Sequence, residues 1–264
     1  MINVDWNTAL YPAKDECPLQ TLVDGYSYTS IFRTIAVIGD SLSAGEFEIK
    51  DTDGSALYYD MYPYAWAAFL ARKNGITLHN FARDNMTAKE YIDSYADEMG
   101  FWDPEKRAQA YIIALGVNDI LNYHTEVGTL ADICTDDPAK NAPTFMGYYG
   151  AIVSRYKAIC PDAKFFFVTI PATDFEPECP GSLAQRQALY DMASLFDNAY
   201  VIDLYRYAPQ FDADFAHRYF LNGHMDPTGY LLMARMIDSY IDYIIRHNPK
   251  DFKQVGFIGT GIKY

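Results

Sequence analysis

Short runs of β-branched, aliphatic and aromatic residues alternate along this chain with longer stretches in which apolar positions recur every three to four residues. The short runs predict strands at about 34–39, 76–81, 110–115, 164–170 and 200–204. The stretches at 62–73, 88–98, 144–159, 182–196 and 228–246 carry the helical period, with Ser182 expected as an N-cap. Strands and helices in strict alternation predict an α/β fold: a three-layer, doubly wound parallel sheet of about five strands in the flavodoxin-like order 2-1-3-4-5. Ligands of such sheets sit at the carboxyl ends of the strands, near the switch point between the first and third.

Three segments fall outside this alternation: an N-terminal arm at 1–33, a Tyr/Asp-rich stretch at 46–61 and a long loop at 121–143. Loops longer than about 12–15 residues in a compact domain usually serve function or are disordered. The second and third follow strands 1 and 3, so both are expected as insertions beside the binding edge. The whole chain, 1–264, is expected to form one domain, a size that doubly wound folds reach without dividing.

Composition narrows the function classes. Half of the residues are hydrophobic, enough for a sizeable core, and the net charge of −14 disfavours nucleic acid and anionic membrane surfaces as partners. No apolar run approaches the roughly 20 residues of a membrane span. The first residues are polar, without the basic and apolar regions of a secretion signal; as written the chain reads as cytoplasmic, and as secreted or periplasmic if a leader was removed. Cys17, Cys134, Cys160 and Cys179 form no C-x-x-C pair, so free thiols are the expectation; whether Cys160 and Cys179 pair is left open by spacing alone. No Walker A, G-x-G-x-x-G or H-E-x-x-H occurs, so neither a metal nor an organic cofactor is expected, and without a G-x-S-x-G elbow an ordinary α/β-hydrolase with its nucleophile in mid-chain is disfavoured.

Four segments carry candidate chemistry. Gly39-Asp40-Ser41-Leu42 ends strand 1, where a serine can present its hydroxyl at the sheet edge beside the N–H groups of a helix start. Asn80 to Thr87 follows strand 2, and its Asn85 suits a left-handed backbone that aims an N–H into a site. Gly116-Val117-Asn118-Asp119 ends strand 3, with an asparagine placed to offer a side-chain N–H. Near the C-terminus, Asn222-Gly223-His224-Met225-Asp226-Pro227-Thr228-Gly229-Tyr230 brings a histidine to the entrance of the last helix. Taken alone, each of the first three reads more readily as an ordinary turn or cap.

Together and in this order, the four segments resemble the SGNH hydrolase family, also called the GDSL esterase/lipase family, over nearly the whole chain. The resemblance implies Ser41 as nucleophile, His224 as general base, and an oxyanion hole made by the backbone N–H groups of Ser41 and Asn85 and the side chain of Asn118. Two positions depart from the family pattern: Asn85 stands where glycine is usual, and Leu221 stands where an aspartate commonly precedes the histidine by three residues. Asp226 is then a candidate displaced acid and equally a helix cap. Asn222, or a backbone carbonyl near Leu221, is a candidate for orienting the imidazole within a Ser41–His224 dyad.

The expected function is serine ester hydrolysis through an acyl-enzyme. The tyrosine-dense segment Tyr58-Tyr59-Asp60-Met61-Tyr62-Pro63-Tyr64 tips the substrate toward acetylated or short-acyl carbohydrate esters. A lysophospholipase or thioesterase with the same chemistry, and a catalytically inactive carbohydrate-binding member of the fold, remain as alternatives.

Overall fold

The computed structural model of the chain describes residues 11–174 and 181–262. Among the described residues seven strands run in chain order: β1 Thr34–Gly39, β2 Glu46–Lys50, β3 Ala56–Asp60, β4 Thr77–Asn80, β5 Ala110–Ala114, β6 Lys164–Val168 and β7 Ala199–Ile202. Five of them form one parallel sheet in the order β4-β1-β5-β6-β7. Counted within that sheet alone, this is the expected 2-1-3-4-5.

The central strands are apolar on both faces because helices cover both faces. Every residue of β1 after Thr34 is buried, and so is every residue of β6. That is why they read as continuous hydrophobic runs instead of alternating ones. The long helices are α1 Trp66–Asn74, α2 at 88–98, α3 Phe145–Ile159, α4 Gly181–Leu195 and α5 Pro227–His247. Thr144 caps α3, accepting from the Gly147 N–H, and Asp226 caps α5, accepting from the Gly229 N–H. Pro227 at the first position of α5 forgoes an N–H that the helix would leave unpaired.

Several expected features differ in detail. The helix at 62–73 is a short 3₁₀ turn, Tyr62–Tyr64, followed by α1, because Pro63 and the extended backbone of Ala65 delay the α-helix. Within α2 the central turn Tyr91–Tyr95 is a π-helix. Ser182 lies inside α4, which already runs from Gly181, so it is not the cap. The segment at 46–61 is a β-hairpin, not a loop: β2 and β3 pair antiparallel from Glu46↔Asp60 to Lys50↔Ala56. The loop at 121–143 contains two 3₁₀ turns, Leu130–Asp132 and Pro138–Lys140. Cys160 is buried, and Cys179 lies outside the described residues.

The hairpin is held against the domain at its root. The Met61 N–H donates to the Gly45 carbonyl, and the buried Tyr230 hydroxyl of α5 donates to the Glu46 carbonyl at 2.7 Å. Phe47 packs against Tyr64 and Tyr230. This anchorage fixes which face of β2 looks toward the start of α5, and hence toward His224.

Candidate active site

Ser41 opens a single helical turn, Ser41–Ala44, directly after β1. The cap is its neighbour: the Asp40 carboxylate accepts from the Leu42 N–H, which leaves the serine hydroxyl free of that role. The turn sits close on the strand. A Cβ at Gly39 would lie 2.2 Å from Ser43 Oγ, so a side chain at position 39 would force the turn away from the sheet edge.

His224 reaches this serine across 183 positions of sequence: its Nε2 lies 2.9 Å from Ser41 Oγ. Two glutamates of β2 flank the imidazole. Glu48 Oε2 is 3.4 Å from Nδ1, and Glu46 Oε2 is 3.1 Å from Nε2. Tyr58 of β3 meets the ring edge-on at 6.0 Å. The histidine side chain is only 15% exposed, so these charges act on it with little solvent between. The Glu46 carboxyl is raised above the usual carboxylate range, chiefly by burial; His224 opposes the rise, and Asp84, Asp60 and Glu48 reinforce it.

The remaining candidates occupy the neighbouring strand ends. Asn85, between β4 and α2, has φ of 53°, in the left-handed region, and its side-chain amide donates to Tyr123 Oη. Asn118 is buried in the π-helical turn Val117–Asn122 after β5. Its Nδ2 donates to the Met86 carbonyl at 3.1 Å and its Oδ1 accepts from Asn122 Nδ2 at 2.7 Å, so the amide is oriented at both ends. Two of the three candidates for orienting the imidazole make hydrogen bonds away from it, Asn222 through its side-chain Nδ2. The Asp226 carboxylate accepts from the Gly229 N–H and the Thr228 hydroxyl, and the Asn222 amide donates to the Glu48 backbone carbonyl.

Sequence reasoning misses Glu46 and Glu48. The signal that could find them is their spacing: residues two apart in an extended run share one face, and Glu46-Phe47-Glu48 follows the serine motif within a few positions.

Two further carboxyls are buried beside the site. Asp40 is pushed up to about 7 by burial, against the opposing bond from the Leu42 N–H. Asp119 is pushed up to about 6, again by burial first; its Oδ1 accepts from the Ala88 N–H, while Oδ2 is buried without a partner among the described residues. An acid raised in the folded state holds its proton more tightly there than in the unfolded chain. Its contribution to stability is therefore complete below about pH 4 and is lost as pH rises through about 6 for Asp119. Asp119→Asn keeps an acceptor for Ala88 and cannot ionise. The variant is expected to gain about 2 kcal/mol over wild type between pH 4.5 and pH 8. Denaturant unfolding at the two pH values measures this, and an equal difference at both would refute it.

A doubly wound sheet whose first strand delivers a serine hydroxyl to a histidine at the start of the last helix is the architecture of an SGNH-type hydrolase. The chain belongs to the GDSL-like lipase/acylhydrolase family, whose sequence model matches residues 37–232. No curated protein sequence matches it. Among solved structures, an active-site mutant of a family two carbohydrate esterase from Clostridium thermocellum is similar, with a TM-score of 0.58 at 18% identity, over 83% of this chain and 64% of that one. A carbohydrate esterase family 2 enzyme with a carbohydrate binding domain, from Corynascus thermopiles (Myceliophthora fergusii), gives 0.54 at 16% identity, over 81% of this chain and 66% of that one. The chain thus spans slightly under two thirds of these esterases, and at such identities the likeness is one of fold. Among the described residues no helix is long and apolar enough to cross a membrane, and no group of His, Cys, Asp and Glu has the geometry of a metal site.

Proposed function

We propose that the protein is a serine ester hydrolase in which Ser41 is the nucleophile and His224 the general base, acting on acetylated or short-acyl carbohydrate esters. The observation that carries the reading is the 2.9 Å contact between Ser41 Oγ and His224 Nε2. A serine hydroxyl is a weak nucleophile at neutral pH and needs a base within hydrogen-bond reach. As Oγ bonds to the ester carbonyl carbon, its proton passes to Nε2. The tetrahedral intermediate then collapses, the C–O bond to the alcohol breaks, and Nε2 returns the proton to the leaving oxygen. Water repeats the sequence on the acyl-enzyme and releases the acid and free Ser41. The carbonyl oxygen, charged in the intermediate, is met by the N–H groups of Ser41 and Asn85 and by the Asn118 amide.

The carbohydrate assignment rests on exposed tyrosines around this centre. Tyr58, 55% exposed, touches the His224 ring, and Tyr123, 56% exposed, holds the Asn85 amide. Exposed rings flanking a nucleophile suit the apolar face of a sugar better than a long acyl chain, which calls for an enclosed apolar channel. The two esterases similar in fold are themselves named carbohydrate esterases, which agrees with this assignment.

The test compares chromogenic esters of increasing acyl length with an acetylated oligosaccharide. Acetyl is expected to be the best acyl group. Tyr58→Ala is expected to lower kcat/KM on the oligosaccharide about 3- to 10-fold more than on the small acetyl ester, the worth of one aromatic contact. Equal losses on both substrates would remove Tyr58 from sugar binding. A preference for long acyl chains would overturn the carbohydrate assignment.

A further inference from the structure

We propose that Glu48, carried on β2, is the carboxylate that positions His224, completing a Ser41–His224–Glu48 triad for a chain that has leucine where the family's aspartate commonly stands. The inference rests on the reading of Ser41 and His224 as nucleophile and base. It adds a residue that the motifs of the family do not contain.

Three contacts tie Glu48 to the histidine loop. Its Oε2 lies 3.4 Å from His224 Nδ1, and the same oxygen accepts from the Gly223 N–H at 2.9 Å. Its backbone carbonyl accepts from the Asn222 amide at 3.0 Å. Residues 222–224 therefore dock on one residue of the hairpin, side chain and main chain together. For Nε2 to receive the serine proton, the ring must carry its own proton on Nδ1, and an anionic acceptor beside Nδ1 selects that tautomer. The 3.4 Å separation is long for a hydrogen bond, and it is expected to shorten as the ring becomes charged in the transition state. Asp226 cannot serve in its place while it holds the start of α5.

Glu46 complements this arrangement from the other nitrogen. At 3.1 Å from Nε2, it faces the same edge of the ring as the serine, so it favours the imidazolium that exists after the serine proton has moved. The two glutamates thus address different nitrogens: Glu48 lies beside Nδ1, and Glu46 beside the nitrogen that takes the serine proton.

Gly223 shows how closely the loop and the carboxylate approach. A Cβ there would lie 2.4 Å from Glu48 Oε2, and its backbone is not in the left-handed region, so the absence of a side chain serves proximity alone. Gly223→Ala is expected to push the carboxylate off the histidine without touching either residue.

Two measurements test the proposal, and neither requires the natural substrate. The first is proton NMR of the exchange-protected imidazole N–H. Wild type is expected to show a downfield Nδ1–H resonance that moves upfield in Glu48→Gln and disappears in Glu48→Ala. The second is the rate at which a fluorophosphonate labels Ser41. Glu48→Gln is expected to slow labelling on the order of 100-fold, less than the roughly 10⁴-fold known for a triad aspartate, because Glu48 is 16% exposed and its contact is longer. Gly223→Ala is expected to slow it in the same direction.

Glutamine can still accept from Gly223, so a merely structural Glu48 would leave Glu48→Gln close to wild type. Labelling within threefold of wild type in both variants, or no downfield resonance in wild type, overturns the proposal. A failure of Glu48→Gln to fold leaves the decision to Gly223→Ala and the wild-type resonance. If wild type is never labelled while the resonance behaves as expected, the hydrolase reading falls and the Glu48–His224 contact stands.

Discussion

Ser41→Ala is expected to lower kcat for ester hydrolysis on the order of 10⁶-fold, with the melting temperature unchanged. The size follows from the role assigned to the hydroxyl: without Oγ no acyl-enzyme forms, and only transition-state binding by the oxyanion donors remains. The intact fold follows from the surroundings. Ser41 is partly exposed, its hydroxyl meets His224 among the described residues, and the cap of its helical turn belongs to Asp40. His224→Ala is expected to approach the same loss. The double variant should be no slower than Ser41→Ala, because the two residues act as a unit. Single-turnover kinetics on a chromogenic acetyl ester reads all three. Full activity in Ser41→Ala, or strict additivity in the double variant, would sink the assignment of nucleophile and base.

The parts of this site that the sequence displays are those built locally. β1, β5 and β6 are buried on both faces, so each appears as an unbroken apolar run, and the residue following each run lies at the carboxyl edge. The apolar runs by themselves therefore put Gly39-Asp40-Ser41 and Gly116-Val117-Asn118 at that edge. Asn85 is legible for a similar reason: asparagine is one of the few residues that accept positive φ.

Glu48 belongs to the other kind. It stands 176 residues from His224 and in no motif of its own. The hairpin that carries it is exposed along β3, where every residue except Leu57 is exposed. A strand with so little buried surface shows no clean alternation, and the Tyr/Asp content of 51–60 reads as a loop. Register decides the outcome: with Glu46 opposite Asp60 and Glu48 opposite Tyr58, both glutamates and Tyr58 share the face toward the histidine. A slip of one residue would turn Phe47 to that face and both carboxylates away. The anchor that prevents the slip is Tyr230 of α5, whose hydroxyl holds the Glu46 carbonyl. Helix α5 thus supplies both the histidine's position and the register of the strand that addresses it.

Asn118→Ala is expected to lower kcat about 100- to 1,000-fold, with KM changed by no more than about threefold. An oxyanion donor meets little charge on a ground-state carbonyl and a full charge in the tetrahedral intermediate, so its loss falls on kcat. The amide is suited to this because it is already fixed. Asn122 holds Oδ1 and the Met86 carbonyl takes one hydrogen of Nδ2, so in the proposed role the second hydrogen is the one offered to the oxyanion. No reorganisation is then needed as charge develops. Alanine leaves the Met86 carbonyl and the Asn122 amide without this partner, so stability should also fall, by about 1 kcal/mol for each bond lost. Asn118→Asp separates the two effects. It keeps the shape and the acceptor for Asn122, but when ionised it sets a carboxylate against the developing oxyanion. Its kcat should fall below that of Asn118→Ala at pH 8. A rise in KM with kcat intact in either variant would instead make Asn118 a ground-state binding residue.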